Sequence, residues 1–74
     1  MAGAAGRAED MLRNSRDIID RLRREGYELR SVRGSHHKFF HPVLRRVVIV
    51  VHPKSDLPPG TVRAIYRQAG WAKD

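Results

Sequence analysis

Hydrophobic positions along the chain follow two different periods, and the change of period predicts the elements. Ile18, Ile19 and Leu22 recur at helical spacing, with Arg16, Asp20, Arg23 and Arg24 filling the intervening positions. This pattern predicts one amphipathic helix over roughly residues 15–25. Asn14 or Ser15 is placed to cap its start, with Asp17 in the first turn, and Gly26 supplies the left-handed stop. The pattern then shifts to alternation. Tyr27 and Leu29 alternate with Glu28 and Arg30, Gly34 and Ser35 supply a tight turn, and a second β-rich stretch runs over 36–41. Pro42 cannot donate to a strand ladder, so the second strand ends there, and the β-branched run over 46–51 predicts a third antiparallel strand. Three prolines and a glycine make 53–60 a loop. A second helix opens at Pro59, Gly60 or Thr61, carries Val62, Ile65 and Ala69 on one stripe and stops at Gly70.

The order is αβββα, without internal repeat. Burial is satisfied most simply when both helices cover one face of a three-stranded antiparallel sheet, which predicts a single small α+β domain with the opposite face open. Tyr27 and Phe39 have the parity of the helix-covered face, and Phe40 that of the open one. Residues 1–9 are mostly Ala and Gly and define no element, so residues 1–11 are expected to form a flexible leader ahead of a domain at 12–74.

Composition narrows the possible activities. The 74 residues contain no cysteine, which removes disulfides and thiolate metal sites, so stability must come from packing. The apolar run at 47–51 is far too short to span a bilayer, and the expectation is a cytoplasmic protein without membrane contact. Net charge is +7 and unevenly placed: residues 1–25 hold six basic and five acidic side chains, residues 26–74 nine and three. Twelve of the fifteen basic residues are arginine, whose planar fork matches phosphate, so nucleic acid is the leading partner class.

The four histidines, His36, His37, His41 and His52, are the natural acid and base candidates. His36 and His37 point to opposite faces of one strand, and His37 and His41 lie about 13 Å apart along it, so no single ion reaches them all and no metal site is expected. A serine triad at Ser35 lacks a nearby acid, because no carboxylate lies between Glu28 and Asp56. What remains is imidazole in a field of guanidinium. That is the equipment for cleaving RNA by internal attack, in which a base takes the 2′-hydroxyl proton and cations stabilise the charged phosphate, with no cofactor. His36 stands out because it follows the Gly34-Ser35 turn, where backbone can approach a phosphate closely.

These residues also resemble a known family. Gly26-Tyr27, Gly34-Ser35-His36-His37-Lys38-Phe39, His41-Pro42, the valine-rich strand, His52, Leu57-Pro58-Pro59-Gly60-Thr61, Ile65 and Gln68-Ala69-Gly70 together resemble the HicA toxins of bacterial toxin–antitoxin systems, over about 12–71. The resemblance implies a fold like that of double-stranded-RNA-binding domains, mRNA interferase activity and neutralisation by a HicB-like antitoxin protein. It also implies that His36 is catalytic. Arg33, Ser35, His37, Lys38, Phe40, Arg45 and Arg46 are the expected RNA-binding residues. Whether His37, His41 or His52 assists as an acid stays open.

Two other functions fit the same pattern. One is a non-catalytic RNA-binding module, but the second helix offers only Arg63 and Arg67 where a phosphate-clamping cluster would be expected. The other is a protein-interaction domain whose basic face docks an acidic partner.

Overall fold

The computed structural model describes residues 11–72. The expected leader lies outside them except for Met11, which is buried in the core. The elements run α1 (Ser15–Arg24), β1 (Glu28–Arg33), β2 (His36–His41), β3 (Arg46–Val51) and α2 (Pro59–Ala69). The strands form one antiparallel sheet in the order β1-β2-β3, giving the αβββα domain that the pattern predicts.

Phe39, Val48 and Val50 are fully buried on one face of the sheet, where they meet Ile18, Ile19 and Leu22 of α1 and Val62, Ile65, Tyr66 and Ala69 of α2. Both apolar helical stripes are thus satisfied by a single core. α1 is capped by Asn14, whose side-chain oxygen accepts the Arg16 N–H at 2.9 Å. Ser15, the other cap candidate, is instead a buried cross-link: its hydroxyl accepts the Lys54 N–H at 2.8 Å and is hydrogen-bonded to His52 Nδ1 at 2.7 Å. The end of α1 is tied to the far end of the chain. Trp71 donates to the Glu25 carboxylate at 2.7 Å, and the Arg21 guanidinium lies over the indole at 4.1 Å while Arg21 Nε donates to Glu25 at 3.0 Å. Burial tends to raise the Glu25 pKa, but the hydrogen bonds from Trp71 and Arg21 outweigh it and hold the carboxyl below its ordinary value. Its stabilising contribution is therefore present at neutral pH and lost as pH falls through the depressed value.

β1 departs from the simple alternation. All six of its residues are exposed, including Leu29 (41%) and Val32 (49%), because the helices cover β2 and β3 and leave the outer strand bare. A register shift between Leu29 and Ser31 makes Arg30 the extra residue of a bulge, and its guanidinium lies 4.5 Å from the centre of the Phe40 ring.

Two turns set the hairpins. Gly34 has φ 57°, the positive value required at the first position of a two-residue hairpin loop of the type its neighbours permit. The four residues 42–45 close the second hairpin, with Arg45 at φ 60° and its N–H on the His41 carbonyl at 2.8 Å. His41 organises this end of the domain: Nε2–H donates to the Glu25 carbonyl at 2.8 Å, and Nδ1 accepts the N–H groups of Val43 and Leu44 at 3.2 and 3.0 Å. Gly26 sits directly beneath that ring. With φ 100° and a hypothetical Cβ 2.9 Å from His41 Nε2, it tolerates no side chain. Gly26→Ala should therefore cost about 1–3 kcal/mol, read as a lowered midpoint in urea with an unchanged slope. A midpoint within error of wild type would show that the turn relaxes freely.

Candidate functional site

The register decides which side chains share the open face. Across the sheet, Arg33 pairs with His36 and His36 with Val51, Ser31 pairs with Lys38 and Lys38 with Ile49, and Phe40 pairs with Val47. Antiparallel partners point to the same side. His36, Lys38 and Phe40 therefore stand opposite the buried Phe39, together with Arg33, Ser31, Ile49 and Val51. Ser31, Arg33, His36, Lys38 and Ile49 line one shallow depression of about 350 Å³.

His36 also lines a second, larger groove. Here the sheet meets α2: Ile49 and Val51 form one wall, Pro58, Gly60, Thr61, Ala64 and Gln68 the other, around an open volume of about 580 Å³. α2 is placed there because its apolar stripe packs on β3, which leaves the next row of the helix beside the strand's free edge. Gln68 Oε1 accepts the Ile49 N–H at 3.1 Å and so satisfies an edge donor that no strand pairs. The first turn of α2 has Pro58 as its N-cap and no side-chain cap.

The four imidazoles differ in what holds them. His41 is bonded at both ring nitrogens, as described above. His52 is bonded to Ser15, and its ring packs edge-on against His37 with centroids 5.1 Å apart. His37 is half-buried and donates from Nδ1 to the Ser35 carbonyl at 3.2 Å, an oxygen that also accepts the His52 N–H at 2.8 Å. A carbonyl has no proton to give, which fixes the Nδ1–H form of His37. His36 is exposed and, among the described residues, has no ring hydrogen bond. Three histidines serve the architecture, and one faces solvent among cations.

The structure brings only some of the expected RNA-binding residues to His36. Arg33, Lys38 and Phe40 share its face, and Ser35 adjoins it in the turn. His37 lies on the helix-covered side. Arg46 pairs with His41 at the other end of β2, about 17 Å along the strand from His36, and donates to the Ala69 carbonyl at 2.7 Å, where a cation suits the C-terminus of α2. Arg45 stands in the turn beside it. Both arginines are thus outside the His36 neighbourhood. Tyr27, beneath Arg46, has a raised pKa because burial outweighs the nearby guanidinium.

The wall residues Ser31, Ile49 and Gln68 were not expected as site residues from sequence, although Gln68 stands in the motif that carries the family resemblance. Ser31 and Ile49 carry a signal: the parity of Ser31 follows from an antiparallel register that starts at the Gly34-Ser35 turn, and that of Ile49 from the β2–β3 pairing across residues 42–45. Gln68 does not, because its place depends on how α2 docks on β3. His37 and His52 form a pair, but among the described residues no three His, Cys, Asp or Glu side chains converge as a ligand set. No helix of these residues is long and apolar enough to cross a membrane.

Comparison with known proteins adds an independent observation. A family model described as the HicA toxin of bacterial toxin–antitoxin systems matches residues 15–71, from the first residue of α1 to the indole that closes on Glu25. No curated protein matches the chain.

Proposed function

The chain belongs to the HicA toxin family of bacterial toxin–antitoxin systems, and from that premise we propose that it is an endoribonuclease that cuts mRNA without a metal, with His36 as the base. The observation that carries this reading is the contrast among the imidazoles. His36 alone combines exposure, a ring without a hydrogen bond among the described residues, and a place in a depression lined by Arg33 and Lys38.

In the proposed step the neutral His36 ring takes the proton of a ribose 2′-hydroxyl, and that oxygen attacks the adjacent phosphorus. The bond from phosphorus to the 5′-oxygen of the next nucleotide breaks, and water protonates the departing oxygen. The products are a 2′,3′-cyclic phosphate and a 5′-hydroxyl. Arg33 and Lys38 are placed to stabilise the charge that gathers on the phosphate oxygens, and a guanidinium does this through two parallel N–H donors. Phe40, on the same face under Arg30, offers a ring on which a base can stack. The partner is a HicB-like antitoxin protein, whose acidic surface would complement the basic sheet half.

The test is cleavage of a defined RNA in the presence of EDTA, with the product ends identified by mass spectrometry. Cleavage should persist with chelator, leave a cyclic phosphate and fail when the nucleotide before the cut carries a 2′-deoxyribose. Activity that disappears with EDTA and returns with Mg²⁺, or that cuts the deoxy substrate, would overturn the mechanism. RNA that binds but is never cut would favour a non-catalytic binding module. In either case affinity should fall linearly with salt on logarithmic axes, because the cations displace phosphate counterions.

A further inference from the structure

The groove between β3 and α2 begins at His36 and ends at a side chain whose hydrogen-bonding character is fixed. A backbone N–H can only donate, so the group that Gln68 presents to Ile49 is its amide oxygen, whichever way the amide might otherwise be turned. With one lone pair of that oxygen engaged by β3, the part of the Gln68 side chain left without a partner among the described residues is the amide NH₂, two donors, and the Thr61 hydroxyl is the other polar side-chain group on that wall. Between His36 and Gln68 the lining is mostly aliphatic, with Ile49 and Val51 on one side and Ala64 beside Thr61 on the other. A planar ring with apolar faces and a polar edge suits such a slot.

We propose that this groove is a nucleobase subsite, that it holds the base next to the phosphate at His36, and that Gln68 selects bases carrying a carbonyl on the presented edge. The assignment rests on the RNA-cleavage reading for the identity of the ligand. Uracil O4 and guanine O6 accept hydrogen bonds, whereas cytosine N4 and adenine N6 donate at the corresponding positions. A free glutamine reads adenine through both its oxygen and its nitrogen; here the oxygen already accepts from β3, so adenine would have to share it, whereas a carbonyl meets the unpartnered NH₂ directly. The same contact that protects the edge of the sheet therefore sets the preference, uracil and guanine over cytosine and adenine.

The probes are four 2′-O-methylated trinucleotides that differ only in the central base and lack the attacking hydroxyl, so that binding is read without cleavage. Uracil and guanine should bind about 3- to 10-fold more tightly than cytosine and adenine, the range of one hydrogen bond, and should shift the Gln68 side-chain amide signals in NMR spectra. Gln68→Glu keeps an oxygen for the Ile49 N–H but replaces the donors by an acceptor. It should weaken all four probes through its charge while reversing the ratio in favour of cytosine and adenine. Gln68→Ala should remove the preference, and its melting temperature shows whether the fold is intact. An unchanged order of bases in Gln68→Glu, unmoved Gln68 signals or absence of binding by all four probes would overturn the subsite. Preferential binding by a protein that never cuts RNA would sink the nuclease reading and leave this one standing. Cleavage that ignores Gln68 would do the reverse.

Discussion

His36→Ala is expected to abolish RNA cleavage and growth inhibition while leaving the domain folded and able to bind the proposed antitoxin. The expected loss is at least the factor of about 10² to 10⁴ that follows removal of a positioned acid or base, and more if the imidazolium also stabilises the phosphate. Folding should be indifferent, because the ring is exposed and makes no hydrogen bond among the described residues. His37→Ala is the internal control. Its ring is half-buried, bonded to the Ser35 carbonyl and packed on His52, so its removal should lower the melting temperature and change the rate per folded molecule far less. Rate and thermal stability must be measured on the same samples. A folded, active His36→Ala protein, or a larger catalytic loss at His37, would move the base one residue along the chain.

The largest loss of stability is expected one strand position from the open face. Phe39 is completely buried at the centre of β2, paired with Leu29 on one side and Val48 on the other. Phe39→Ala should cost about 3–5 kcal/mol, the range for truncating a buried aromatic ring. For a domain of this length the whole stability is about 4–11 kcal/mol, so a substantial unfolded fraction is expected at physiological temperature. Phe40→Ala is the matched comparison. Its ring lies on the other face under Arg30, and its loss should change stability by less than about 1 kcal/mol while weakening RNA binding. Urea titration of the two variants separates them, and equal losses would show that the open face is packed rather than free.

The contrast between Phe39 and Phe40 was legible in the sequence because a strand has a period of two and a single turn, Gly34-Ser35, fixes the register of the first hairpin. The two helices were legible for similar reasons: their apolar stripes and the glycines that follow them are local signals. His36 emerged from the same turn. What the sequence did not carry was the lateral placement of the helices over the sheet. Alternation assigns Leu29 to the covered side, and it does face that way, but α1 and α2 stop short of β1 and leave Leu29 exposed. Arg45 and Arg46 belong to the basic sheet half by charge, yet Arg46 is drawn to the C-terminus of α2 by the Ala69 carbonyl. Charge is visible in a sequence at long range, whereas its address is set by packing. Gln68 is the clearest case, since only the docking of α2 on β3 turns a surface glutamine into a fixed donor.

The bareness of β1 has a kinetic consequence. Amide protons bonded between β2 and β3 lie over the core and exchange with solvent only when the whole domain opens, whereas β1 is an edge held by one ladder and covered by neither helix. It can detach without disturbing Phe39 or the helices, so its bonded amides should exchange through a smaller, faster opening. Ser31 and Arg33 ride on that strand, which makes one wall of the depression the least protected part of the sheet. A ligand that bridges Arg33 and Lys38 would suppress the opening. Deuterium uptake over residues 28–33 is therefore a direct gauge of occupancy on this face, readable without a cleavage assay and without altering a residue.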